Sequence, residues 1–164
     1  DYGECYAAAK GLGVRLNGQP FLRKEDKYDA EALHFYMDRS FQSEPYFDHV
    51  KSRLQQYVGN DIEIEYHADL GGVRNALGVM CSAKGCYLKF PKKKNGCGSI
   101  WDYAATRLMF EELSLYVSNA EGERLFLNDP QTTFMNNQGI VYATNPDLTQ
   151  FIIEVGREIG NLSH

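Results

Sequence analysis

The sequence lacks the features of several protein classes. None of its apolar runs approaches the ~18 residues that a membrane-spanning helix needs, so no membrane partner is predicted. Basic residues are outnumbered, with 17 Lys and Arg against 22 Asp and Glu, and the net charge of −5 predicts no nucleic-acid partner. The 4 cysteines contain no CxxC pair. This favours reduced thiols and a cytoplasmic location.

Complete catalytic motifs are also missing. The histidines His34, His49, His67 and His164 are scattered, with no HExxH or His-x-His spacing. Since His34 lies in an apolar run, we expect a core histidine there rather than a ligand. No Ser-His-Asp or Cys-His arrangement is supported by spacing.

What remains is ordinary globular composition, with 43% apolar and 24% charged residues. The length of 164 residues predicts one domain, residues 1–164. The chain begins at Asp1 rather than Met and has no signal-peptide pattern. We therefore expect a piece of a longer protein.

Hydrophobic periodicity predicts strands alternating with helices. Strands are expected at 4–10, 14–16, 32–37, 62–67, 85–90 and 140–144, and helices at 45–58, 73–82, from about 102 to 113, and after 145. Asn17-Gly18 predicts a hairpin turn, 23–29 a surface loop, and 116–118 with 124–127 a hairpin. The predicted fold class is α/β (α+β), a mixed β-sheet layered with helices.

Asp102 is the most informative single residue. It follows a glycine-rich loop and the single tryptophan, Trp101, at the expected start of a helix. A carboxylate there either caps the helix by accepting free backbone N–H groups or serves as an oxygen ligand of a divalent cation. The sequence alone leaves both roles open.

A second candidate is the turn Gly71-Gly72-Val73-Arg74-Asn75, which opens a helix directly after a strand. Free N–H groups at such a helix start can bind an anion, and the Arg74 side chain could add a forked donor. The Lys-Ser/Thr pair of a phosphate-binding P-loop does not follow. Most turns of this kind bind nothing, so the structural role also stays open.

Taken together, these motifs resemble the carboxyl-terminal half of the inositol monophosphatase-like superfamily of metal-dependent phosphatases. The stretch 101–105 is similar to its Trp-Asp-x-Ala motif, and 9–13 with Asn17-Gly18 is similar to its glycine hairpin. The Gly71–Asn75 turn is similar to its substrate-contacting turn. Residues 135–144 and Gly96-Cys97 resemble the 3'(2'),5'-bisphosphate nucleotidase branch.

The resemblance implies two or three Mg²⁺ ions in the complete enzyme, with Asp102 as a metal ligand. It implies that Gly72, Val73 and Arg74 bind a small phosphorylated substrate. The family's other ligands lie in an Asp-Pro-x-Asp-Gly-Thr segment and an acidic pair of the amino-terminal half, and neither occurs here. We therefore expect an amino-terminal metal-binding domain as partner, no complete catalytic set in this chain, and no activity from this chain alone.

Two functional hypotheses follow. The first is an Mg²⁺-dependent phosphomonoesterase acting on a 3'(2'),5'-bisphosphate nucleotide or an inositol phosphate. The alternative is a non-catalytic binding or regulatory module that retains the fold. In either case, we expect an apolar face where this chain would contact the amino-terminal half. We expect that half, or a second copy of the chain, to cover this face.

Overall fold

A mixed five-stranded sheet forms the centre of the molecule. The computed structural model describes residues 3–23 and 32–162. Strands β4 (Ala32–Tyr36), β5 (Glu63–His67), β6 (Gly85–Lys89), β7 (Tyr116–Ser118) and β8 (Ile140–Ala143) lie in the order β5-β4-β6-β8-β7. Strand β4 pairs in parallel with β5 and β6, whereas β8 is antiparallel to both β6 and β7.

A small antiparallel sheet precedes this one. It contains β1 (Tyr6–Ala8), β2 (Val14–Leu16) and β3 (Gln19–Pro20), in that order. Asn17 and Gly18 both have positive φ, 51° and 81°, as the β2–β3 turn requires. The predicted hairpin turn is therefore confirmed.

Helices cover both faces of the large sheet. They are α1 (Phe47–Val58), α2 (Gly72–Cys81), α3 (Ile100–Glu112) and α4 (Pro146–Leu162), and a short 3-10 helix spans Arg39–Ser43. One face packs against α1 and α4 through a cluster that includes Phe35, Leu54 and Ile152. The other packs against α2 and α3 through a cluster that includes Val79 and Phe110. The predicted mixed sheet layered with helices is confirmed.

Most predicted elements are observed within one or two residues of their expected ends. Strand β4 is almost wholly buried, as its apolar run predicts. The final helix begins after Asn145, whose Oδ1 accepts the N–H of Leu148 at 2.8 Å. The four cysteines all fall within the described ranges and are free. The part of the chain that the structure describes contains no helix long and apolar enough to cross a membrane.

The predicted hairpin around Gly122 is half wrong. Residues 116–118 form β7, but 124–127 are not a strand. The Gln138 side chain replaces a partner strand there: its Oε1 accepts the Phe126 N–H, and its Nε2 donates to the Phe126 carbonyl, both at 3.0 Å. The amide side chain of Gln138 thus satisfies the N–H and C=O of Phe126 without a β-ladder.

The structure also bears on His34 and on the loop predicted at 23–29. His34 is not a core histidine, since its side chain is 30% exposed, although its Nδ1 does have a partner, Nε2 of His67, at 3.1 Å. The apolar run predicts burial, but β5, the neighbour of β4, is the edge strand, and His34 stays partly exposed. The loop predicted at 23–29 lies, except for Arg23, outside the described residues.

Candidate active site

Asp102 caps its own helix. Helix α3 begins at Ile100 with Ser99 as N-cap, and Asp102 occupies the third helical position. The Ser99 N–H donates to Asp102 Oδ2 at 2.9 Å, and the Ser99 side chain accepts the Asp102 N–H in return, forming a capping box. The capping role considered from sequence is therefore observed. Oδ1 makes no hydrogen bond to the described residues, so half of the carboxylate stays available to a ligand.

The glycine-rich loop before α3 sets the position of this carboxylate. Gly98 has φ of +76°, a conformation that L side chains rarely adopt. A Cβ added there would lie 2.9 Å from Asp102 Oδ2 and 2.9 Å from Tyr103 Cζ. The Tyr103 hydroxyl donates to the Cys97 carbonyl and ties the loop to the helix. Only glycine allows the loop to approach Asp102 this closely.

The start of α2 lies beside Asp102. A Cβ added to Gly72 would be 3.8 Å from Asp102 Cβ and 3.5 Å from Tyr87 Oη. The N-cap of α2 is Gly71, which offers no side-chain oxygen to the first N–H groups of the helix. Val73 and Arg74 follow on the exposed side of this turn. The structure thus brings two sequence-predicted features, Asp102 and the Gly72 turn, next to each other.

A second carboxylate, Asp38, lies nearby and was not singled out from the sequence. Its Oδ2 is 2.6 Å from Lys89 Nζ. Its Oδ1 accepts hydrogen bonds from Tyr87 Oη at 3.1 Å and Asn75 Nδ2 at 3.3 Å. Asp38 comes two residues after β4, at the carboxyl edge of the parallel strands where ligands commonly bind. That position is the signal that could have identified it.

The Lys89 ammonium and the Tyr87 hydroxyl both contact the Asp38 carboxylate. The Lys89 side chain is only 11% exposed, so its ammonium is well shielded from water and paired with a carboxylate. Burial raises the pKa of the Tyr87 hydroxyl far above its ordinary value. Tyr87 is therefore protonated over the physiological range and donates to Asp38. Asp38 is consequently engaged on both oxygens.

The described residues do not complete a magnesium site. Magnesium prefers six oxygen ligands in octahedral geometry. Asp102 offers one free oxygen, and Asp38 is neutralised by Lys89. Within residues 3–23 and 32–162, the one group of three potential ligands that lie together is His34, Glu65 and His67, which does not include Asp102. The described residues around Asp102 therefore fit part of a carboxylate-bound metal site, one free carboxylate oxygen, and not the complete ligand set.

Comparisons with known proteins give similarity in fold. No protein-family profile matches the sequence, and neither does any curated protein. Solved structures of inositol monophosphatases do match. A Thermotoga maritima enzyme is 14% identical with a TM-score of 0.61, and the match covers 96% of this chain and 53% of that one. Inositol monophosphatase II of Staphylococcus aureus is 16% identical with a TM-score of 0.62, covering 93% and 49%.

A third structure carries ligands. An inositol monophosphatase/NADP phosphatase complexed with Mg²⁺ and phosphate is 14% identical with a TM-score of 0.60, and the match covers 93% of this chain and 49% of that one. The chain thus spans about half the length of the solved structures it matches. At these identities the likeness shows that the described chain has the fold of part of an inositol monophosphatase-like phosphatase.

Proposed function

We propose that this chain is the carboxyl-terminal half of a magnesium-dependent phosphomonoesterase that acts on a small phosphorylated metabolite. The observation that carries the proposal is the position of Asp102 beside the uncapped start of α2, within a phosphatase-like fold. An acidic metal ligand next to free backbone N–H groups is an arrangement suited to a phosphate ester.

Each residue then has a defined role. Asp102 contributes its free carboxylate oxygen to one of the two or three Mg²⁺ ions of the complete enzyme. The N–H groups of Gly72 and Val73 hold the substrate, and the exposed Arg74 guanidinium can pair with a phosphate oxygen. Bound Mg²⁺ supplies Lewis-acid stabilisation of the phosphate and an activated water. The remaining carboxylates must come from outside the described residues, so this chain alone is proposed to be inactive.

Two similarities suggest the substrate class, one in sequence motif and one in fold. Residues 135–144 resemble the bisphosphate nucleotidase branch, which favours a 3'(2'),5'-bisphosphate nucleotide. One fold neighbour is described as bound to inositol monophosphate, and another as a dual inositol monophosphatase/NADP phosphatase. Both classes place a phosphate ester on a small ring-containing alcohol. We therefore propose an enzyme for one of these two classes and, from the free cysteines, a cytoplasmic location.

One observation favours the alternative of a non-catalytic module. The Lys89 ammonium pairs with Asp38 close to Tyr87 and the Gly72 turn. Because Asp38 is engaged on both oxygens, this pairing removes a carboxylate that a metal site at this position would need. In that case, the fold would bind a phosphorylated ligand and not hydrolyse it.

The direct test measures phosphate release by the full-length gene product with and without Mg²⁺. The substrates are 3'-phosphoadenosine 5'-phosphate and inositol 1-phosphate, with an unphosphorylated nucleoside as blank. Magnesium-dependent release from either substrate supports the proposal. Absence of release from both, with saturable binding of the same compounds, would establish the binding module instead.

The residues encoded before Asp1 give a second discrimination. An Asp-Pro-x-Asp-Gly-Thr segment and an upstream acidic pair would supply the missing carboxylates and support the enzyme. Any other sequence there favours the non-catalytic module. The same region would provide the amino-terminal partner that we propose covers exposed apolar side chains such as Trp101, which is 65% exposed.

A further inference from the structure

Three potential metal ligands converge at the edge of the large sheet. His34 lies on β4, and Glu65 and His67 lie on β5, the edge strand. In the parallel register His34 is opposite Glu65, and Tyr36 is opposite His67. Since side chains two residues apart share a face of a strand, Glu65 and His67 project to the same side. Spacing in the sequence does not reveal this group. His34 lies 31 residues before Glu65 and 33 before His67, and the last two are separated by one position.

The donor atoms have the separations of a coordination shell. His34 Nδ1 lies 3.1 Å from His67 Nε2 and 3.3 Å from Glu65 Oε2, and His67 Nε2 lies 3.9 Å from Glu65 Oε2. Bonds of about 2.0–2.1 Å in a tetrahedral zinc site place ligand atoms about 3.3–3.4 Å apart. The three observed separations, 3.1, 3.3 and 3.9 Å, bracket that range. A metal ion can therefore contact all three atoms with little movement of the side chains.

The two rings are held by their surroundings. The Tyr36 ring stacks on His67 with centroids 4.4 Å apart and an interplanar angle of 16°. Its hydroxyl lies 3.2 Å from Ser82 Oγ, which fixes the tyrosine in turn. The His34 ring stacks on the His67 ring at 5.4 Å. Ligands that are positioned before the metal arrives lose little conformational entropy on binding.

We propose that His34, Glu65 and His67 bind a divalent transition-metal ion such as Zn²⁺, with a fourth position open to solvent. Two imidazoles and one carboxylate suit zinc, whereas magnesium prefers an all-oxygen shell. The three side chains are 30%, 47% and 32% exposed, so water or an added ligand can reach the ion. On binding, each neutral imidazole carries its single N–H on the nitrogen that faces away from the metal. This site is separate from the proposed Asp102 magnesium site.

The test titrates Zn²⁺ into metal-free full-length protein by calorimetry and Co²⁺ by visible absorption. We expect one high-affinity Zn²⁺ per chain and the intense visible bands of four-coordinate Co²⁺. Glu65→Gln and His67→Ala should each lower zinc affinity at this site by about 100-fold or more. Glu65→Gln keeps the side-chain volume at a half-exposed position, so it is expected to fold even if His67→Ala does not. Circular dichroism of each variant checks the fold.

The matched control is His49→Ala. This histidine is also partly exposed and pairs with an acid, Glu158, but no third potential ligand lies beside it among the described residues. Zinc affinity that is unchanged by His49→Ala and lost in Glu65→Gln supports the site. Absence of saturable Zn²⁺ binding, or binding that is insensitive to Glu65→Gln, overturns it. Zinc binding that persists in Asp102→Asn and in excess Mg²⁺ separates this result from any failure of the proposed phosphatase function.

Discussion

Replacing Gly78 with alanine tests the packing that positions the proposed substrate turn. Gly78 lies within α2, six residues after Gly72, and faces the ring of Tyr36 on β4. A Cβ at this position would be 2.5 Å from Tyr36 Cζ and 2.8 Å from Cδ1. The ring cannot move away freely, because it stacks on His67 and its hydroxyl contacts Ser82. Gly78→Ala should therefore push α2 away from the sheet.

The magnitude follows from two opposing terms. Alanine is better than glycine in a helix interior by about 0.5–1 kcal/mol. Forcing an extra methyl group into a packed interior costs about 1–3 kcal/mol. The net expectation is a loss of between about 0 and 2.5 kcal/mol in the free energy of unfolding. A net gain in stability would require Tyr36 to rotate away at almost no cost.

The matched control is Gly160→Ala, in α4. No described residue lies within 4 Å of a Cβ at that position, so the variant should gain up to about 1 kcal/mol. We expect the two variants to differ by about 1–3 kcal/mol, or about 2–12 °C in melting temperature by circular dichroism. A Gly78→Ala protein as stable as Gly160→Ala would refute the close approach of α2 to β4.

Three further outcomes follow from particular contacts. Gly98→Ala should destabilise the protein by about 1–2 kcal/mol or more in urea unfolding, because it adds a close contact with Asp102 to the cost of a positive φ. Gly11 also has a positive φ, +75°, but no described residue lies within 4 Å of a Cβ there, so Gly11→Ala should show the backbone cost alone. Glu112→Gln should speed amide hydrogen exchange at Gly11 and Gly13, whose N–H groups donate to the two Glu112 oxygens at 2.8 and 2.9 Å, and unchanged exchange would contradict that clamp. Arg53 and His49 lower the pKa of Glu158 below its ordinary 4.5, so its stabilising effect is present above that pH and is lost as the pH falls through the lowered value. The stability difference between wild type and Glu158→Gln should thus shrink on acidification, staying within about 1 kcal/mol because the pair is partly exposed, and a difference that grows in acid would exclude this assignment.

The sequence predicts the large elements well because their hydrophobic periods are clear. The apolar run of β4, the alternation of β5 and the turn at Asn17-Gly18 are each read from local pattern. The strand predicted at 124–127 is wrong because a side chain from a later part of the chain, Gln138, bonds the backbone of Phe126 in place of a partner strand. Local composition carries no information on such a contact.

The sequence predicts only part of the candidate site, because only part of it lies in local motifs. Asp102 and Gly72 each belong to a local motif, and both could be named from sequence. Strand pairing is what brings Asp38 next to Lys89 and His34 next to Glu65 and His67, so neither group can be named from local sequence. Which strands are neighbours is a property of the whole fold, which the spacing of residues in one sequence does not specify.

The rate of magnesium-dependent phosphate release by full-length Asp102→Asn protein tests the central proposal most directly. Asparagine keeps an oxygen that can accept the Ser99 N–H, so the helix cap is retained while the charge is removed. The control is Asp147→Asn, a first-turn acid of α4 that is exposed. We expect Asp102→Asn to lower the rate by about 100-fold or more and Asp147→Asn to leave it unchanged. Equal rates for wild type and Asp102→Asn would contradict the assignment of Asp102 as a metal ligand.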